Sequence, residues 1–320
     1  MRERAVAQHL PALVAAVADA FAGLEPGALV VDGTCGYGGH AGAILERNPG
    51  VRLVGMDRDP GAVEGAAEHL RRFGDRAVVV HGRFSRWREL TTALGMGPPQ
   101  GLVLDLGVSS PQLDTPGRGF SFNSPGPIDM RMDPAEGASA LDFLEGAAED
   151  EIADVIWRLG EERFSRRIAK GIKSAIQQGR LSTTEDLAQI CRRAYGKGSH
   201  RIDPATRTFQ ALRMHINDEL GELERALAAV PEGLAQRGIV AVISFHSLED
   251  RVVKHTYRDW QGQGLGQMLK PAPIIADEAE RAANPRAKSA KLRLFARGKA
   301  APTKEGMDQY RSKRHRGPRL

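Results

Sequence analysis

Cysteine is nearly missing from this 320-residue chain: only Cys35 and Cys191 occur, far apart and without metal-ligand spacing. That excludes a disulfide framework and a structural zinc site, and both side chains are expected to be reduced thiols. No other ligand cluster of the usual type is visible, so the sequence predicts no catalytic metal. Uncharged apolar runs long enough to cross a bilayer are also lacking. The stretch from Leu10 to Leu24 is Ala-rich but carries Asp19, which fits an amphipathic helix and not a signal peptide. A cytosolic protein with no membrane partner is expected. There is no internal repeat.

What is present is an ordinary globular composition, 41% hydrophobic, with enough chain for one large core or two smaller ones. The formal charge of +5 is unevenly placed. Residues 301–320 hold Lys304, Arg311, Lys313, Arg314, Arg316 and Arg319 against Glu305 and Asp308, and Asn284 to Arg293 adds Arg286, Lys288, Lys291 and Arg293. Such clusters suit a phosphate backbone, although a solvated tail has the same composition.

Short apolar runs at Ala28–Val31, Val51–Met56, Ala77–Val80 and Leu102–Leu106 alternate with helical patterns such as Pro60–Phe73. This is the order of a parallel sheet with crossover helices. Gly238–Phe245 reads as a further buried strand and Lys291–Ala296 as a last, edge-like one. Between them lies a Gly/Pro-rich loop, Asp114–Pro134, and then helical periodicity from Leu141 to Ala194 without a convincing strand. Phe209–Leu227 reads as one long helix, and Ser182 to Asp186 as a capped helix start. The expected architecture is a doubly wound α/β domain with a helical insertion. Residues 1–114 and 207–320 form the two parts of the sheet domain, and residues 115–206 form the insertion.

The sharpest constellation is Val30-Val-Asp32-Gly-Thr-Cys-Gly36-Tyr-Gly38-Gly39-His40-Ala41, which follows a predicted strand and opens a predicted helix. Glycines there let backbone amides approach a ligand closely, and the spacing from Gly36 to Ala41 fits G-x-G-x-x-A. The second strand ends in Asp57, placed to accept hydrogen bonds from both hydroxyls of a ribose, whereas Asp59 before Pro60 reads as a helix cap. Phe84 follows the third strand and could stack on an adenine or join the core, and Asp105 ends the fourth. Acids ending the first, second and fourth strands serve a nicotinamide enzyme and a methyltransferase equally well.

The blocks Asp105-Leu-Gly-Val-Ser-Ser-Pro-Gln-Leu-Asp114, Arg118-Gly-Phe-Ser-Phe122 and Asp129-Met-Arg-Met-Asp133 resemble the bacterial ribosomal RNA small subunit methyltransferase H family. The likeness continues through Arg201 to Arg213, Asn217 to Leu220, Ile243 to Arg251 and Asn284 to Arg293, nearly the whole chain. The resemblance implies a class I methyltransferase sheet of Rossmann-like type that uses S-adenosyl-L-methionine. It further implies methylation of the exocyclic N(4) of a decoding-centre cytosine in 16S rRNA within the small ribosomal subunit. By resemblance, Gly38, Gly39, His40 and Asp57 meet the methionine and ribose parts of the cofactor, Phe84, Asp105 and Gln112 complete its pocket, and the insertion recognises RNA. A homodimer is compatible with this, but the sequence fixes no oligomeric state.

A cytosine amine is a poor nucleophile, so the chemistry is mostly alignment, helped by an acceptor for the amine hydrogens. The Asp/Asn/Ser-Pro-Pro-aromatic turn common in amine methyltransferases is replaced here by Asp105-Leu-Gly-Val-Ser-Ser-Pro. Asp105, Ser109 and His246 are therefore the candidate catalytic groups, with Ser110 on the same loop. His246 reads equally well as a structural residue at a helix start. Phe120, Phe122 or Trp157 could stack on the base, with burial in the core the commoner fate. Three alternatives remain at this point: a nicotinamide-dependent oxidoreductase, on the glycine fingerprint; a non-catalytic RNA-binding assembly factor, on the basic segments; and function on DNA, since phosphate attraction is shared.

Overall fold

The computed structural model describes residues 11–196 and 198–298. The basic positions from Lys304 to Arg319 lie outside them. In chain order the strands are β1 (Leu29–Asp32), β2 (Arg52–Asp57), β3 (Ala77–His81), β4 (Gly101–Asp105), β5 (Ile239–Ser244), β6 (Gly266–Met268), β7 (Ile274–Ile275) and β8 (Lys291–Arg297). They form one sheet in the order β3-β2-β1-β4-β5-β8-β6, with β7 also paired to β8. The first five strands are parallel, in the registers Val30 to Leu53, Leu53 to Ala77, Val31 to Leu102 and Leu102 to Val240. This is the doubly wound order, with its switch point between β1 and β4.

The strands form here because their residues are apolar on both faces. Val30, Leu53, Val103 and Ala241 enter one buried cluster, while the adjoining Val31, Val54, Leu104 and Val242 enter the cluster on the opposite face. A sheet buried on both sides needs such continuous apolar runs.

β8 departs from the edge position expected of it. It runs antiparallel between β5 on one side and β6 and β7 on the other, and Leu292 through Ala296 are buried. Phe295 packs against Tyr257 and Trp260, with ring centroids 5.3 and 5.1 Å away.

The helices are α1 (Val14–Ala20), α2 (Gly39–Arg47), α3 (Pro60–Leu70), α4 (Trp87–Ala93), α5 (Ser110–Asp114), α6 (Ala140–Gly146) and α7 (Glu149–Gly160). After these come α8 (Ser165–Gln177), α9 (Thr184–Tyr195), α10 (Thr206–Ile216), α11 (Glu219–Ala228), α12 (Val230–Gly233), α13 (Ser247–Gly262) and α14 (Glu278–Ala283). Asp59 caps α3 by accepting a hydrogen bond from the Gly61 amide at 3.0 Å, with Pro60 in the first turn. Thr183 caps α9 in a reciprocal box with Asp186. None of the described helices is long and apolar enough to cross a membrane.

The described residues divide into two compact units, residues 11–107 with 222–298, and residues within 108–221. The second has its own core, in which Ile152 and Ile156 of α7, Ile168 and Ile172 of α8 and Leu187 of α9 meet Phe209 and Leu212 of α10. Because α10 contributes to that core, the unit extends beyond residue 206, where the sequence reading ended it. The single helix expected over Phe209–Leu227 is broken at Asn217 and Asp218, and Asp218 takes φ 48°. The Asn217 side chain explains the break. It accepts from the Met132 amide at 2.8 Å and donates to the carbonyls of Met130 at 2.7 Å and Arg213 at 2.8 Å, tying the helix end to the Gly/Pro-rich loop.

Candidate active site

The loop leaving β1 makes its turn with Gly36 and Gly38 at φ 53° and 86°, a region that costs any other residue about 1–2 kcal/mol. Gly38 is the residue preceding α2, whose first turn holds Gly39 and His40. Thr34 ties this loop to the neighbouring strand. Its hydroxyl accepts from the Asp105 amide at 2.5 Å, and its own amide donates to Asp32 Oδ1 at 3.3 Å. Gly33 is required for close approach, since a side chain there would start 2.8 Å from Leu104 Cδ2 and 3.0 Å from Phe84 Cβ.

Three ionisable groups converge where β1 and β4 end. Asp32 and His40 are buried and Asp105 is half-buried, with His40 Nε2 lying 3.2 Å from Asp105 Oδ2. The contact is a charge pairing more than an aligned hydrogen bond, because Nε2 lacks a partner of good geometry. Burial pushes the Asp32 carboxyl up to about 7, with His40 and the Thr34 amide pulling it partly back. Burial acts to lower the His40 imidazole, but Asp105, then Asp32 and Glu280, outweigh it and leave the imidazole above its ordinary value. Asp32 Oδ2, His40 Nδ1 and Asp105 Oδ1 are buried without hydrogen-bond partners. Orphaned polar atoms at the carboxyl end of a doubly wound sheet mark a site built for a polar ligand.

Asp57 closes the other side of the loop. Its Oδ2 accepts from the Gly36 amide at 2.8 Å and its Oδ1 from the Asp59 amide at 2.9 Å. Burial raises this carboxyl, while those amides hold it back. Each oxygen keeps further acceptor capacity for a hydroxyl. Phe84 is half-buried and packs with Val78 and Val80 against the sheet. Gly38, Gly39, His40, Asp57, Phe84 and Asp105 thus all belong to the first unit. Asp32 and Thr34 were not given roles from sequence; only the position of Asp32 at a strand end hinted at one.

Ser109 and Gln112 belong to the second unit. They form a reciprocal box at the start of α5: Ser109 Oγ accepts from the Gln112 amide at 3.4 Å, and Gln112 Oε1 accepts from the Ser109 amide at 3.0 Å. His246 caps α13, its Nδ1 accepting from the Glu249 amide at 3.4 Å and its Nε2 lying 3.0 Å from Glu249 Oε1. These contacts give His246 the structural role that the sequence also allowed. Phe120 is buried, and Phe122 meets Phe209 edge to face at 5.0 Å. Trp157, for which the core was the commoner expectation, is instead 57% exposed on α7.

Residues 6–298 match the model of the MraW methylase family. The chain is 48% identical over 291 residues to the ribosomal RNA small subunit methyltransferase H of Sorangium cellulosum, covering 91% of each chain. It is 47% identical over 308 residues to the protein of the same name from Thioalkalivibrio sulfidiphilus, covering 90% of this chain and 97% of that one. A third, from Methylobacterium nodulans, is 46% identical over 305 residues, with 89% of each covered. On a match of this extent, the chain belongs to the MraW methylase family.

Proposed function

We propose that this protein transfers a methyl group from S-adenosyl-L-methionine to small-subunit ribosomal RNA, at the exocyclic N(4) of a decoding-centre cytosine. The observation that carries the reading is the group of unpartnered atoms Asp32 Oδ2, His40 Nδ1 and Asp105 Oδ1, set beside a glycine turn and the carboxylate of Asp57. These donors and acceptors fit a ligand with an amino acid end and a ribose. The relatives' names supply the ribosomal substrate.

S-adenosyl-L-methionine, when bound, supplies a methyl group already activated on a sulfonium. Gly38, Gly39 and His40 hold its methionine part, Asp57 its ribose and Phe84 the adenine. Asp105 is placed at the strand end with one oxygen facing His40 and the other uncommitted. That free Oδ1 accepts a hydrogen of the cytosine amine, favours a pyramidal nitrogen and receives the proton as charge develops there. His246 is the further candidate for this contact within the same unit. Methylation at carbon 5 is disfavoured, since it needs a thiolate. Cys35 and Cys191 are both buried, and burial pushes the Cys35 thiol up and that of Cys191 up to about 12. The second unit, in this reading, recognises RNA. A nicotinamide-dependent reaction keeps no support beyond glycine spacing, which methyltransferases share.

The test is methyl transfer from labelled S-adenosyl-L-methionine to purified small subunits lacking the modification, followed by nucleoside mass analysis. Label in N(4)-methylcytidine is expected. Label in another nucleoside overturns the target atom, and RNA binding without transfer favours the non-catalytic assembly factor.

A further inference from the structure

One end of the helical unit concentrates cations around a row of rings. Phe164 and Tyr195 meet edge to face with centroids 4.7 Å apart, and Tyr195 meets the exposed His200 at 5.1 Å. The exposed Arg163 lies over Phe164 at 4.6 Å and over Tyr195 at 5.9 Å. Arg207, also exposed, donates to the Glu161 carbonyl at 3.1 Å and is close enough for its charge to act on the Tyr195 phenol. Arg166 and Arg201 are exposed beside them in the chain, following Arg163 and His200.

The acids of this segment do not balance those cations. Between residues 161 and 207, Glu162 is buried and accepts from the Tyr195 hydroxyl at 2.6 Å. Glu185 and Asp203 pair with Arg192 at 3.1 and 3.0 Å, and Asp186 is taken up at the start of α9. Only Glu161 is exposed. A surplus of guanidinium groups framing ring faces is the chemistry that holds single-stranded nucleic acid, with phosphates on the arginines and a base on the aromatic platform. A merely solubilising surface has no need of a row of rings.

We infer that this face is a contact site for a single-stranded RNA segment, with Arg163, Arg166, Arg201 and Arg207 on phosphates and His200 as the stacking platform. The inference rests on the reading of RNA as substrate and adds to it the residues that grip the strand away from the reacting base. Arg163, held over two rings, and Arg207, bound to the Glu161 carbonyl, are already oriented, so their binding costs less ordering.

The test uses full-length Arg166→Gln/Arg201→Gln and His200→Ala proteins with small ribosomal subunits lacking the modification. Affinity is measured across a salt series, with KM and kcat measured alongside. Loss of two phosphate contacts to a single strand should weaken binding about tenfold and flatten the dependence of log K on log salt by about 1.4. KM should rise much more than kcat falls. His200→Ala should weaken binding about fivefold and leave that slope alone, as loss of stacking does. Unchanged affinity and slope in both variants, with methyl transfer intact in the parent protein, overturn the surface and leave the reaction standing. No transfer by the parent protein, with the slope still altered in the arginine variant, sinks the reaction and supports the surface.

Discussion

His40 Nε2 stands 3.2 Å from Asp105 Oδ2, so the first turn of α2 and the end of β4 share one charge pair. The pair leaves Asp105 Oδ1 without a partner. It engages only one of the carboxylate oxygens, as the proposed role of proton acceptor for an amine requires. Asp105→Asn should therefore lower kcat by about a hundredfold or more, the usual contribution of a positioned general base, with a smaller change in cofactor affinity. Single-turnover methyl transfer alongside calorimetry separates the two effects. An equal loss in both would move Asp105 from chemistry to cofactor binding alone.

Asp32 predicts a pH dependence of stability. Its carboxyl stands at about 7 against an ordinary 3.8, so between those values the folded chain binds a proton that the unfolded chain does not. The stability due to this group is fully present below about 4 and is lost as pH rises through about 7. The whole span is worth at most about 4 kcal/mol. Asp32→Asn should remove this slope, and the difference in unfolding free energy between parent and variant should shift in the variant's favour from about pH 4 to about 7 and level off above that. Parallel curves for the two proteins would show that Asp32 titrates normally.

Asp57 holds two backbone amides as well as the proposed ribose. Asp57→Ala should weaken S-adenosyl-L-methionine binding by about 1–3 kcal/mol, the cost of leaving those partners unpaired. Calorimetry giving an unchanged affinity would remove the ribose assignment.

The parts of this architecture that the sequence disclosed are those governed by local pattern. The parallel strands were legible because runs such as Val30-Val31 and Leu102-Val103-Leu104 are apolar on both faces, and Asp59-Pro60 announced its helix. β8 was misplaced at the edge because its outer partners, β6 and β7, span only Gly266–Met268 and Ile274–Ile275, too short to carry a period. Helical periodicity ran straight through Asn217, since the bonds that stop the helix come from Met130 and Met132, more than eighty residues away in the chain. In the site, the glycines and strand-end acids were visible as types at positions. The link from Thr34 to Asp105 and the burial of Asp32 depend on which strands become neighbours, and spacing does not encode that.

Asn217 supplies the last prediction, because its side chain is 1% exposed and its bonds to Met130, Met132 and Arg213 lie within the helical unit. Replacing it with alanine leaves the Met132 amide and the Met130 carbonyl without their partners and removes what holds the chain in the turn to Asp218. Unsatisfied buried backbone groups cost about 1–3 kcal/mol each, so Asn217→Ala should destabilise the unit by about 2–4 kcal/mol. Hydrogen exchange resolves the effect by region: amides of α7 and α10 should lose protection, and those of β1 and β4 should keep it. Equal loss in both sets would mean that the two units unfold together, and no loss in either would mean that water or a shifted loop satisfies the freed groups.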